Sequence, residues 1–253
     1  MATAHNNLGN ALQGQGKFVD AQASYEHSLA LQPDQPETLN NLAITLKDQG
    51  HWREANNTFR RALKIKPDWA AANSNLLYCM SHDVHIEPQA LHAEHLTFGE
   101  TFEKPLRDTW LPHTNTKDTA RILQIGFVSA DFYDHALNNF LEPVFEALSK
   151  EAGLVIHAYY THIIEDSVNK RLQKHFARWN GVSHLTPDEL ATQVRTDGID
   201  ILFDLTGHTA HNRLLTFAHK PAPVQVSWLG YLGTTGLQAI DYYLCDIFWV
   251  PPG

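Results

Sequence analysis

The sequence predicts a mixed fold, in which an α-helical solenoid is followed by a parallel sheet with helices on both faces. Two observations lead to this prediction. The first 80 residues repeat with a period of 34 residues, and apolar strands alternate with helical segments from Arg121 onwards. With 43% hydrophobic residues among 253, the chain can bury a sizeable core. The predicted parts are a repeat array over 1–80, a helical junction and linker over 81–120, and an α/β lobe over 121–253.

Helix pairs are indicated by residue types that recur in the first 80 positions. Residues that match at 34-residue intervals are Asn7, Asn41 and Asn75; Ala21 and Ala55; Tyr25 and Phe59; Pro33 and Pro67. Small residues let two helices approach, aromatic residues fill the gap between them, and proline ends the second helix. This pattern is typical of tetratricopeptide repeats.

The sequence also leads to a prediction for each end of the repeat array. A third unit begins at Trp69, but Pro88 falls where its second helix would run, so we expect the array to end near residue 80. No polar capping helix precedes the first unit. Since solenoids need caps, we expect either that further repeats lie N-terminal to Met1 or that this start is misassigned.

Residues 86–106 predict a further helix, and the polar residues 107–120 predict a linker. Five strands then follow, in the segments RILQIGFVSAD, GLVIHAYYTH, IDILFDLTGH, PVQVSWLGY and IDYYLCD. Helices are predicted in NNFLEPVFEALSK, EDSVNKRLQKHF and TPDELATQVRTDG, the last with a capping box of Thr186 and Glu189. Continuous apolar strands that alternate with helices predict a doubly wound parallel sheet, which binds ligands at the carboxyl ends of its strands.

Composition argues against several classes of function. The formal net charge of −9 disfavours a nucleic-acid partner. No apolar run is long enough to span a membrane, and the N-terminus lacks the apolar core of a signal peptide. Only Cys79 and Cys245 are present, so a disulfide framework is not expected. Together these features predict a soluble cytoplasmic protein.

Polar residues follow three of the predicted strands. They are Ser129–His135 after the first strand, Asp204–His208 after the third, and Gly230–Gly236 after the fourth. Because the carboxyl ends of parallel strands share one edge of a sheet, these segments are expected to converge on a ligand site. The glycines and threonines of the last segment suit a sugar or a phosphate, although such a sequence is also typical of a plain turn.

Histidine, present sixteen times, offers two kinds of chemistry. His135, beside Asp131 and Asp134, is suited to act as an acid, a base or a substrate clamp; the alternative is a surface histidine that caps the next helix. Three His-x-x-His pairs occur: His82 and His85, His92 and His95, His208 and His211. A metal-dependent hydrolase built on them would carry stoichiometric metal, but no His-Glu-x-x-His is present and no metal is expected.

The repeats, together with GFVSADFYDH, DILFDLTGHTAHNR, KPAPVQVSWLGYLGTTG and IDYYLCD, resemble the O-GlcNAc transferase and SPINDLY family, glycosyltransferase family 41. The resemblance covers essentially the whole chain. It implies a GT-B enzyme, in which two Rossmann-like lobes enclose the active site and no metal or other cofactor is used. The implied donor is UDP-GlcNAc, or GDP-fucose in the SPINDLY branch, and the implied acceptors are Ser and Thr hydroxyls of proteins bound by the repeats.

Individual site residues are also implied by this resemblance. His135 matches the family's histidine after the S-x-D-F turn, and His82 aligns with a second active-site histidine when Pro88 is used as the anchor. Asp131 and Asp134 match acceptor-side positions. The remaining implied substrate-binding residues are Gly207, His208, Leu229, Gly230, Tyr231, Gly233 and Thr234, with Leu229 and Gly230 near the acyl group of the sugar. Leu232 stands where the family usually has proline, so a different turn is expected in the sugar pocket.

The family's second lobe, with the residues that hold the diphosphate, is expected to follow the point where this sequence stops, FWVPPG. The nucleotide sugar is therefore expected to bind mostly through that lobe, and the 253-residue chain alone is expected to be inactive. The competing hypothesis is a non-catalytic scaffold that binds proteins through its repeats.

Overall fold

The computed structural model describes residues 1–246 and confirms the predicted fold class, helix pairs followed by a parallel sheet. The chain divides into two compact units, Met1–Phe98 and the residues from Gly99 onwards. Within the described residues, every helix is too short or too polar to cross a membrane.

The first unit is built from antiparallel helix pairs. Its helices are α1 (Ala2–Gly14), α2 (Phe18–Leu31), α3 (Pro36–Asp48), α4 (Trp52–Ile65), α5 (Ala70–His82) and the larger part of α6 (Pro88–Phe102). The aromatic residues predicted to fill the gaps, Tyr25 and Phe59, are fully buried. A Cβ atom at Gly9 would lie 2.5 Å from the Tyr25 ring, so the small residue is what permits this helix contact.

The second unit contains one six-stranded sheet. Its strands are β1 (Leu123–Ser129), β2 (Leu154–Tyr160), β3 (Arg178–Gly181), β4 (Ile201–Asp204), β5 (Val224–Trp228) and β6 (Tyr242–Leu244). The helices of the sheet region are α7 (Asn138–Leu148), α8 (Ser167–Leu172), α9 (Pro187–Thr196) and α10 (Leu214–Ala218). All pairings are parallel and the strand order is β3-β2-β1-β4-β5-β6. The order reverses between β1 and β4, which makes their carboxyl ends the topological switch point.

Two features differ from the sequence prediction. Strand β3, with the sequence RWNG, was not predicted because it is short, lies at the sheet edge and has no apolar run. The helix predicted over 86–106 ends at Phe102, and a 3-10 helix over Lys104–Thr109 enters the predicted linker. Pro105 cannot donate the backbone hydrogen bond that would continue the α-helix. The capping box of Thr186 and Glu189 is present as predicted.

Candidate active site at the carboxyl edge of the sheet

Strand register brings the polar segments to one edge. Val128 of β1 pairs with Asp204 of β4, and Asp204 pairs with Ser227 of β5. The three strands therefore end side by side, and the segments that follow them lie at the same edge, as the sequence predicted. This edge includes the switch point, where open α/β sheets bind ligands.

Asp204 stabilises the backbone turn that follows β4. Its carboxylate is 1% exposed and accepts hydrogen bonds from the backbone N–H groups of Thr206 (3.1 Å) and Gly207 (3.0 Å) and from Ser227 Oγ (3.4 Å). Burial raises the pKa of Asp204 to about 6. Because the amides of this turn already bind a carboxylate of the same lobe, they are not available to hold a phosphate.

The exits of β4 and β5 interlock through two glycines. A Cβ atom at Gly230 would overlap the carbonyl oxygen of Leu205, and one at Gly207 (φ 56°) would overlap Cβ of Tyr231. At the end of β5, the Gly230 N–H donates to the Trp228 carbonyl oxygen at 2.8 Å, which closes a three-residue turn around Leu229. Leu229 has φ 64°, a left-handed conformation that is strained for leucine and typical of functional sites.

The glycine-rich segment after β5 is held by contacts with the buried His208 side chain. The His208 ring is 1% exposed, its Nε2 lies 3.0 Å from the Thr235 carbonyl oxygen, and it meets the Tyr231 ring edge-on at 5.3 Å. Gly233 and Thr234 line a cavity of about 400 Å³. Leu232, in the family's proline position, is 66% exposed.

The segment after β1 is more open. Asp131 is half-buried; burial raises the pKa of its carboxyl, and His135, His162 and His211 act in the opposite direction. Asp134 is exposed, and its N–H donates to Asp166 Oδ2 at 2.7 Å.

His135 lies exposed in the same segment, where the Leu137 N–H donates to its Nδ1 at 3.3 Å. The neutral ring therefore carries its proton on Nε2 and presents a hydrogen-bond donor at the edge of the sheet.

His82 lies in the first unit, on α5. Its Nδ1 is 2.8 Å from the Tyr78 carbonyl oxygen, and its ring stacks on Trp52 at a centroid distance of 5.2 Å. Since a carbonyl oxygen only accepts, Nδ1 carries the proton and Nε2 keeps a lone pair, the form suited to a base. Its catalytic role stays a prediction.

Sequence reasoning missed one contact at this edge. His162, which follows β2, and His211, which follows β4, meet edge to face with centroids 4.5 Å apart. Residues so far apart in the chain leave no local signal of their contact. His95 of α6, a member of the pair of His92 and His95, is 2% exposed, and burial lowers its pKa.

The His-x-x-His pairs were the candidate metal ligands in the sequence. In residues 1–246, no group of three or more His, Cys, Asp and Glu side chains is placed to hold a metal ion. The pair of His208 and His211 is split, because His208 is buried against Thr235 and His211 is exposed against His162.

A repeat array joined to a doubly wound lobe, with a strained, polar strand edge at its switch point, defines a repeat-bearing protein of the α/β class. The sequence model described as "Glycosyl transferase family 41" matches residues 67–252, and a tetratricopeptide repeat model matches residues 1–68. The chain therefore belongs to glycosyl transferase family 41, the family of O-GlcNAc transferase and SPINDLY proteins.

Three relatives illustrate the similarity. The chain is 36% identical over 170 residues to "Probable UDP-N-acetylglucosamine--peptide N-acetylglucosaminyltransferase SPINDLY" of Arabidopsis thaliana, a match that covers 62% of this chain and 18% of the relative. It is 29% identical over 184 residues to the Caenorhabditis elegans "UDP-N-acetylglucosamine--peptide N-acetylglucosaminyltransferase", covering 70% and 16%. The solved structure of a mutant O-GlcNAc transferase of Thermobaculum terrenum superimposes with a TM-score of 0.91 at 33% identity, over 99% of this chain and 48% of that one. The chain thus spans less than half the length of each.

Proposed function

We propose that this chain supplies the acceptor half of a protein O-glycosyltransferase, which transfers a sugar from a nucleotide sugar to Ser or Thr hydroxyls. The observation that carries the proposal is the convergence of the β1, β4 and β5 exits at the switch point in a chain of family 41. A strained Leu229 and a cavity beside Gly233 and Thr234 at this edge fit a built site rather than plain turns.

Acceptor binding is assigned to the repeats. Asn7, Asn41 and Asn75 occupy the same position in successive units, and Asn41 Nδ2 donates to Asn10 Oδ1 at 2.9 Å. Side-chain amides offer both donors and acceptors, which match the backbone of an extended peptide whatever its sequence. This fits a protein that accepts many partners.

The proposed chemistry is attack of the acceptor hydroxyl on the anomeric carbon while the nucleoside diphosphate leaves. Nε2–H of His135 positions an oxygen by donating a hydrogen bond, and His82 is in the form that takes up a proton. Because Asp204 occupies the turn amides after β4, we place stabilisation of the diphosphate in a second lobe. The 253-residue chain alone should then give no turnover.

UDP-GlcNAc is the donor we propose, in line with the names of the relatives. GDP-fucose is the second candidate. It is the donor that the resemblance to the SPINDLY branch implies. No metal or other cofactor enters this proposal.

Calorimetric titration of the purified chain tests the assignment. A capped Ser-containing peptide should bind, while UDP, UDP-GlcNAc and GDP-fucose should bind weakly or not at all. Micromolar binding of one donor would identify the sugar and overturn the second-lobe assignment. Absence of peptide binding would overturn the acceptor role. Sugar transfer by the chain, detected as a mass gain of the peptide, would show that it needs no second lobe.

A further inference from the structure

A second cleft opens at the carboxyl edge, beside β2 and β3. It has a volume of about 320 Å³ and lies apart from the cavity at Gly233 and Thr234, with which it shares no lining residue. Its lining residues are Thr161, His162, Ile163, Ser183, His211, Asn212 and Arg213. None of these belongs to the residues predicted to bind the donor or acceptor.

Arg213 places a positive charge in this cleft. Its guanidinium donates to three backbone carbonyl oxygens, those of Leu185 (2.7 Å), Val182 (2.9 Å) and Ser183 (3.0 Å). Among residues 1–246 no carboxylate forms an ion pair with it, whereas Arg121, Arg171 and Arg178 each pair with one. The charge of Arg213 is therefore fixed in place and uncompensated.

His162 adds a hydrogen-bond donor of known direction. Its Nδ1 accepts the N–H groups of Ile163 (2.9 Å) and Ile164 (3.3 Å), so the proton of the neutral ring is on Nε2. Nε2 has no hydrogen-bond partner within the described part of the chain. It is left to donate to a ligand.

His211 is held against His162 by its backbone. Its φ of 58° is left-handed, and Thr161 Oγ1 donates to its carbonyl oxygen at 3.0 Å, which fixes the turn. The charged and titratable groups that act on its ring are His162, Arg213 and Asp131. Asp131 in turn interacts with His135, and Tyr133 lies 5.8 Å from the His162 ring.

We infer that this cleft is a subsite for the carboxylate side chain of a glutamate that flanks the acceptor Ser or Thr. The carboxylate accepts hydrogen bonds from His162 Nε2–H and from a protonated His211, and the positive charge of Arg213 attracts it. The glutamate methylenes contact Ile163, whose side chain is 78% exposed. The inference rests on the proposed acceptor role, because it concerns the same bound peptide.

Binding of the carboxylate is linked to proton uptake by His211. Burial, His162 and Arg213 lower the pKa of the free His211 ring, whereas Asp131 raises it. A ligand carboxylate raises it further, so that the imidazolium lies between two carboxylates. Glutamate selectivity should therefore be larger below the ordinary histidine pKa than above it.

The test compares two capped peptides of identical sequence except for Glu or Gln beside the serine. The intact chain should bind the Glu peptide about tenfold more tightly near pH 6 and within about twofold near pH 8. The double variant His162→Asn with His211→Asn should bind both peptides equally. Asn suits both positions, since its oxygen can accept the two amides at 162 and it tolerates left-handed φ at 211. His92→Asn, an exposed histidine of α6, is the matched control and should keep the selectivity.

Each result has one meaning. Equal affinity of the intact chain for both peptides, or selectivity that survives in the double variant, overturns the inference and leaves the acceptor role standing. Failure to bind either peptide overturns both. Competition by millimolar acetate but not by a glutamate peptide would show a site for small anions only, and would also overturn the inference.

Discussion

The two halves of the carboxyl edge are built differently. At the β4 and β5 exits, Asp204 and His208 are held by contacts with backbone atoms, and Gly207 and Gly230 have no space for a Cβ atom. Beside β1 and β2, His135 and His162 lie exposed or half-buried, and His211, which reaches His162 from the far end of the segment after β4, is exposed as well. One half holds its shape, and the other presents groups whose protonation and partners can change.

This difference fits the roles proposed for the two halves. A sugar pocket needs fixed geometry, because misplacement of the reacting carbon is costly for the rate. A surface that accepts different peptides benefits from adaptable hydrogen-bonding groups. The predictions below test whether the division is real, from the largest expected effect to the smallest.

Gly230→Ala should break the rigid half. The added Cβ would overlap the carbonyl oxygen of Leu205, and backbone atoms cannot move aside as a flexible side chain can. We expect a loss of about 4 kcal/mol or more in the free energy of unfolding, measured by urea titration. Gly153→Ala, where an added Cβ meets nothing within 4 Å, is the control and should change little. A small loss in Gly230→Ala would mean that the two exits are not locked.

Asp204→Asn should alter the pH dependence of stability. The pKa of Asp204 is raised from 3.8 to about 6, so its contribution is complete below pH 3.8 and is lost as the pH rises through 6. The neutral amide does not titrate. Between about pH 4 and 7 the stability difference should therefore move by roughly 3 kcal/mol in favour of the variant. Urea titrations across this range measure it.

Asp108→Asn provides the control for this change, because Asp108 is exposed in the same unit. The free energy of unfolding of the Asp108→Asn variant should differ from that of the unmodified chain by the same amount at every pH in this range. If the Asp204→Asn variant also differs from the unmodified chain by a constant amount, the buried carboxylate does not titrate as assigned.

Glu103→Gln should loosen the segment that follows the glycine-rich turn. Glu103 is fully buried and accepts from the Ala239 N–H (2.8 Å) and from Arg107 Nε (2.8 Å). An amide group turns one N–H toward a donor, which leaves both unsatisfied, at a cost of roughly 1–3 kcal/mol in thermal or urea unfolding. Glu100→Gln removes an exposed pair with Lys104 at the same spacing and should cost almost nothing. Similar losses in both variants would contradict the assignment of Glu103.

Sequence patterns revealed most of the frame of this site. The apolar runs that became β1, β4 and β5 predicted the converging exits, since strand periodicity and parallel order are local and general properties. Strand β3 was not predicted, because its four residues carry no apolar pattern.

Side-chain contacts were less accessible from the sequence. His208 was assigned to the substrate from a motif, and the structure shows its ring buried against Thr235; the assignment stays a prediction. The contact between His162 and His211 depends on how separate strands are ordered in the sheet. Local spacing carries no information about such contacts.

The smallest effect is expected at His211. Its left-handed φ of 58° is tolerated by Asn, and the hydrogen bond from Thr161 goes to its backbone carbonyl oxygen, so His211→Asn should keep the free energy of unfolding within about 0.5 kcal/mol. His211→Val should lose about 1–2 kcal/mol, because a β-branched residue is strained at this φ. The pair separates backbone strain from ring chemistry in the same urea titration. A loss in His211→Asn as large as that in Glu103→Gln would mean that the histidine ring itself holds the fold, and the open half of the edge would then be as structural as the rigid one.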